Sequence, residues 1–134
     1  MIISIDGNNI GKKIEQYILN EKLDELSEFS NSLLIYLNTL KTIIEMHEGI
    51  VYMCGGDNLL AHVKDNSVND IISKISKIKP PNNTTFAIGI GITAHLVYLA
   101  LAYRKACQSN HFEATYCKVE RDNLVFKDCF NSLI

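Results

Sequence analysis

Apolar residues recur along this chain in alternating runs and in helical stripes, and their order predicts the fold. Ile2–Asp6 alternates, with Ile3 and Ile5 on one face and Ser4 and Asp6 on the other, as in a β-strand. Gly7–Gly11 (G-N-N-I-G) is a glycine-bounded turn leading into a helix from about Lys12 to Leu19. Leu23, Leu26, Ser30, Leu33, Leu37, Leu40, Ile44 and His47 follow at spacings of three and four. That is the stripe of one long helix, with Gly49 as its C-terminal cap. Two short apolar runs, Ile50–Cys54 and Leu59–Val63, then flank Gly55-Gly56-Asp57-Asn58. They predict a hairpin, because Gly-Gly takes positive φ at little steric cost.

Asn66 or Ser67 can cap the next helix, which runs to about Ile78 with Val68, Ile71, Ile72, Ile75 and Ile78 on its core face. Pro80-Pro81-Asn82-Asn83 ends it in a surface loop. Thr85–Thr93 (T-F-A-I-G-I-G-I-T) is the clearest strand. Phe86, Ile88, Ile90 and Ile92 share one face, and Ala87, Gly89, Gly91 and Thr93 share the other, leaving room for something to lie against the sheet. Thr93 caps a last helix, Ala94–Gln108, with Leu96, Leu99, Ala100, Tyr103 and Cys107 inward. Ala114–Glu120 and Asn123–Lys127 are short closing strands joined at Arg121-Asp122-Asn123, and Phe130–Ile134 is a tail.

Neither side of the Pro80-Pro81 loop could hold a core alone, so residues 1–134 are expected to form one domain. Its βαββαβ core predicts an α+β, ferredoxin-like fold: an antiparallel sheet with helices on one face. Such a fold does not by itself imply a function.

Composition narrows the field. At 134 residues, 47% hydrophobic and 21% charged, the chain can bury a substantial core. A net charge of −2 and a pI near 6.1 argue against sequence-independent binding to long nucleic acid. The four cysteines, Cys54, Cys107, Cys117 and Cys129, form no CxxC pair, and no ligand-pair spacing joins them to His47, His62, His95 or His111 in a zinc site. Reduced thiols in a soluble, cytoplasmic protein are expected, with Met1 leading straight into a strand. No apolar run reaches the ~20 residues that span a bilayer.

The candidate chemistry lies at two strand ends. Asp6 closes the first strand and Asp57 sits on the hairpin turn, so side-by-side strands would bring both acids to one end of the sheet. Mg²⁺ prefers one or two carboxylates plus phosphate oxygens, which fits such a pair. Backbone N–H groups of Gly7–Gly11 and the helix start behind them can cradle phosphate. His47 falls on the buried stripe and is expected to pack or cap.

The segments I-D-G-N-N-I-G (Ile5–Gly11), C-G-G-D-N (Cys54–Asn58), G-I-G-I-T (Gly89–Thr93) and Y-L-A-L-A-Y-R-K (Tyr98–Lys105) resemble the palm of GGDEF-type nucleotide cyclases. More closely they resemble the small relatives of the type III CRISPR polymerase palm, the minimal CRISPR polymerase (mCpol) domain. The resemblance runs through almost the entire chain. It implies joining of nucleoside triphosphates, ATP for this group, into a cyclic oligonucleotide such as cyclic di-AMP, with pyrophosphate released, in antiviral signalling. It implies Asp6 and Asp57 as catalytic ligands of Mg²⁺ (or Mn²⁺). Gly7, Asn8, Asn9, Ile10, Gly55, Gly56, Asn58, Arg104 and Lys105 would bind nucleotide, with Arg104 or Lys105 neutralising phosphates and Asn9 bonding ribose or base. A single triphosphate cradle implies a homodimer with facing sites, and the product implies an effector protein that reads it.

Two positions depart from the family pattern. Asn8 and Asn58 stand where acids are usual, giving DGNN and GGDN, which weakens attraction for a second metal ion. A degenerate palm that binds nucleotides without turnover is therefore the competing reading. An RNA-binding ferredoxin-like module fits less well, because Ala87, Gly89 and Gly91 offer no aromatic stacking surface.

Overall fold

The computed structural model describes residues 1–107 and 113–129. Gln108, expected to end the last helix, His111 and the tail Phe130–Ile134 lie outside the described residues. In chain order the elements are β1 (Ile2–Asn8), α1 (Ile10–Leu19), α2 (Leu23–Met46), β2 (Ile50–Gly55), β3 (Asn58–His62), α3 (Val68–Ser76), β4 (Thr85–Gly91), α4 (Ala94–Ala106), β5 (Glu113–Glu120) and β6 (Asn123–Cys129). Single 3₁₀ turns at Asp65–Ser67 and Pro81–Asn83 precede α3 and β4. The Ser67 side chain makes no cap bond to α3, whereas Thr93 Oγ1 accepts from the Leu96 amide at 3.3 Å and caps α4 as expected.

One six-stranded sheet runs in the order β2-β3-β1-β4-β5-β6. Within it, β1 pairs antiparallel with β3 on one side and with β4 on the other, the ferredoxin-like order for a βαββαβ core. Ile3, Ile5, Leu59, Ala61, Phe86, Ile88 and Ile90 point to one face and are fully buried there. Against them pack Phe29, Leu37, Leu40 and Ile44 of α2 and Val68, Ile71 and Ile75 of α3, all in the same core. Leu23 of the predicted α2 stripe is exposed, and Phe29 and Tyr36 are buried instead.

α2 ends in a Schellman motif, but Gly49 is not its left-handed residue. Glu48 takes that conformation (φ 59°), and the Gly49 amide closes the motif on the Ile44 carbonyl at 2.9 Å. A Cβ at Gly49 would lie 2.5 Å from the Ile44 side chain, so close packing explains this glycine.

Helices do not keep to one face. β4 and β5 run parallel, and a parallel pair needs a crossover, here α4. That helix lies on the opposite face, where Gly89 and Gly91 admit it: Cβ atoms there would sit 2.6 Å from the Val97 carbonyl and 2.9 Å from Leu96 Cβ. The space predicted on the glycine face is therefore filled by α4. Its inward side is also rotated from expectation. Leu96, Val97, Ala100 and Arg104 are buried, Tyr103 is partly exposed and Cys107 is exposed. A second small core of Leu96, Ala100 and Cys117 forms between α4 and β5. β6 returns beside β5 through Arg121 and Asp122, both at positive φ as a two-residue I′ hairpin turn requires.

Candidate active site

The N–H of Gly7 donates to the Asp57 carbonyl at 2.9 Å, tying the hairpin turn to the end of β1. Gly56, at φ 60°, occupies the first central position of that turn, where a side chain would be strained, and Asp57 follows it. Gly7 has a different reason to be glycine: a Cβ there would lie 2.4 Å from Ile10 Cγ1 and 3.3 Å from Asp57 Cβ. Asp6 sits next to it, directly opposite Asn58 across the β1–β3 ladder, so those two side chains leave the same face. Both predicted acids thus meet at one end of the sheet.

Their charges are coupled. Burial raises the pKa of the Asp57 carboxyl, and the Asp6 carboxylate pushes it the same way. Its own backbone hydrogen bonding and the Lys105 ammonium pull it back. Lys105 Nζ, from the last turn of α4, donates to Asp6 Oδ2 and lies 3.3 Å from the Gly7 carbonyl oxygen. A cation is therefore already seated on a carboxylate oxygen and a backbone carbonyl, beside a second carboxylate that resists ionisation. This is the donor set a hard divalent cation takes when phosphate oxygens complete its shell. Among the described residues no three His, Cys, Asp or Glu gather as metal ligands, so at this site protein carboxylates alone would number two, and the described thiols of Cys54, Cys107 and Cys117 are free.

The other predicted residues divide. Asn9 is the N-cap of α1 in the left-handed region (φ 56°), which Asn tolerates, and its side chain makes no cap bond. α1 begins at Ile10, two residues earlier than expected, and its first-turn amides have no side-chain acceptor. Gly55 belongs to the same end of the sheet. A Cβ at Gly55 or at Gly11 would meet nothing within 4 Å, so packing does not demand glycine at either position. Asn8 is drawn aside, its amide donating to Thr85 Oγ1 at 3.0 Å. Arg104 is not brought to the acids. Its buried guanidinium reaches Asp128 on β6 at 3.0 Å, and Thr115 Oγ1 meets the same carboxylate oxygen at 3.2 Å. His47 packs as expected, between the Ile43 carbonyl (2.8 Å) and Asp70 (2.6 Å).

One feature escaped the sequence. A cleft of about 750 Å³ opens between α1 and α2 and runs to Gly56 and Asp57. Ile10 and Ile14 give it an apolar wall, and Ser27, Ser30 and Asn31 give it hydrogen-bonding groups. On a helix such polar residues read as a solvated face, and only the packing angle of α1 against α2 turns them into a lining.

Comparison with solved structures gives a diguanylate cyclase/phosphodiesterase from Caldicellulosiruptor saccharolyticus. It superposes with a TM-score of 0.51 over 86% of this chain and 74% of that one, at 15% identity, which is a likeness of fold. No curated protein sequence matches the chain. No helix among the described residues is long and apolar enough to cross a membrane. Residues 2–115 match the model of the minimal CRISPR polymerase domain, mCpol, and the chain belongs to that family of nucleotide cyclase- and polymerase-like palms.

Proposed function

We propose that the protein is a metal-dependent nucleotidyltransferase that condenses ATP into a cyclic oligonucleotide, cyclic di-AMP in the simplest case, as an antiviral second messenger. The observation that carries this reading is the convergence of Asp6, Asp57, the Gly7 carbonyl and Lys105 beside a cleft large enough for a nucleoside. The ribose hydroxyl of one nucleotide attacks the α-phosphorus of another, a P–O bond forms, pyrophosphate leaves, and the hydroxyl proton passes to water. Repetition closes the ring.

In that reaction Asp6, Asp57 and the Gly7 carbonyl would hold Mg²⁺ or Mn²⁺, which when bound neutralises phosphate charge and activates the attacking oxygen. The chain's own groups do the positioning. Uncapped amides of the first turn of α1 face a triphosphate, and open space at Gly11 and Gly55 lets it approach the backbone. Lys105, half-exposed on a long stem, neutralises its charge. The cleft walls take base and ribose, with Asn9 one residue before its lining residue Ile10. Each chain carries one such cradle, so a homodimer with facing sites would bring two nucleotides together, and an effector protein would read the product.

A second reading, a palm that binds nucleotides without turning them over, draws on Asn58, a neutral amide directly opposite Asp6. One experiment separates them: incubation with ATP and Mg²⁺ or Mn²⁺, then mass spectrometry of phosphatase-resistant products, with Asp57→Ala alongside. A metal-dependent cyclic oligoadenylate, lost in the variant, is the expected result. ATP binding with no product from any nucleoside triphosphate would leave the sensor reading.

A further inference from the structure

Lys105 sits where a metal ion would be wanted. Its ammonium rests on Asp6 Oδ2 and near the Gly7 carbonyl oxygen, the same two oxygens that with Asp57 would hold a divalent cation. Its stem reaches Asp6 from α4 along the face of the sheet that the two share, and the last turn of that helix is pinned elsewhere. Tyr103 stacks on Phe126 with ring centroids 4.5 Å apart and planes 9° apart, and Arg104 is bonded to Asp128. The helix therefore stays, while the Lys105 side chain, 37% exposed, is free to swing about its own torsions. Leaving Asp6 costs the ammonium its carboxylate contact, and a triphosphate arriving in the cradle offers it equivalent oxygens.

We propose that Lys105 is an internal counter-cation that holds the metal position in the nucleotide-free protein and yields it only when a triphosphate arrives. This rests on the reading that Asp6 and Asp57 are metal ligands. Its consequence is coupled binding: free divalent metal competes with the ammonium and binds weakly, whereas metal and nucleotide entering together bind well. By reciprocity the metal favours the triphosphate by the same factor. A lone metal ion then does not occupy the site in the absence of substrate.

The test is titration of the full chain with Mn²⁺ alone, followed by the electron paramagnetic resonance of the free ion. Lys105→Met removes the ammonium, and Lys13→Met, whose ammonium bonds the Asn82 carbonyl instead, controls for a general change in charge. Lys105→Met should tighten nucleotide-free Mn²⁺ binding by about tenfold or more, and Lys13→Met should change it little. The gain should vanish when Asp6→Asn is added, with folding of each variant checked by circular dichroism. If Lys105→Met leaves Mn²⁺ affinity unchanged, while the parent protein binds Mn²⁺ with a non-hydrolysable ATP analogue, the counter-cation role is overturned and the metal site stands. If no form binds Mn²⁺ even with the analogue, the metal-site reading itself falls.

Discussion

Gly7 and Asp57 are stapled backbone to backbone, the Gly7 N–H donating to the Asp57 carbonyl at 2.9 Å, and Gly7 carries no side chain to hold them apart. The position of the hairpin acid relative to Asp6 therefore depends on one glycine. In Gly7→Ala the new Cβ would fall 2.4 Å from Ile10 Cγ1 and 3.3 Å from Asp57 Cβ. Ile10 is buried at the start of α1, so relief must move the helix or the turn. The variant should lose about 1–3 kcal/mol of stability in urea unfolding. Turnover should fall much further than the folded fraction does, because two carboxylates are displaced from one another.

Tyr36 poses the opposite case, a group the fold would do better without. Its ring packs on Phe86 with centroids 4.9 Å apart, and its hydroxyl is buried with no hydrogen-bond partner. Burial pushes the phenol pKa well above its usual value. Tyr36→Phe keeps the ring and removes the orphaned hydroxyl, so it should raise stability by about 1 kcal/mol. The urea midpoint should rise with an unchanged slope, and a fall would mean that the hydroxyl has a partner in solution.

The acids were legible because a strand alternation ends on Asp6 and a glycine turn presents Asp57, and both signals are local. The ferredoxin-like core was legible from element order. The place of α4 was not. A glycine stripe such as Gly89 and Gly91 reads alike whether a ligand or a helix backbone lies against it, and only tertiary packing decides. Neighbouring residues on a helix point about 100° apart, so an error of one position in the phase of α4 exchanges the roles of Arg104 and Lys105. The cleft polar groups Ser27, Ser30 and Asn31 gave no sign, since α1 had to be docked before α2 had an inner side there.

Arg104 and Asp128 should be measured as a pair. The guanidinium is 8% exposed and the carboxylate 43%, so removing either partner leaves the other in a different predicament. Arg104→Met removes a buried polar side chain together with its bonds, whereas Asp128→Asn keeps an oxygen that the guanidinium and Thr115 Oγ1 can still bond. Arg104→Met should therefore be the more damaging single change, and a double-mutant cycle should give a coupling of about 0.5–3 kcal/mol. Thermal unfolding of the four proteins checks it. Equal single effects with no coupling would mean the contact contributes nothing to holding the last turn of α4.

Asp57 carries a prediction in which stability and activity move in opposite directions. Burial and the Asp6 carboxylate raise its pKa above the ordinary 3.8, so ionising it costs more in the folded chain than in the unfolded one. An acid with a raised folded-state pKa favours folding fully below its unfolded value and loses that contribution as pH rises through the folded value. At neutral pH the ionised carboxylate is thus a destabilising group kept for the site. Asp57→Asn should be more stable than the parent at neutral pH, and its advantage should shrink as pH drops through the carboxylate range and disappear below 3.8. Urea midpoints across that range, set beside the loss of turnover, test the argument. A variant less stable than its parent at pH 7 would mean that Lys105 and the backbone stabilise the ionised form by more than burial and Asp6 oppose it.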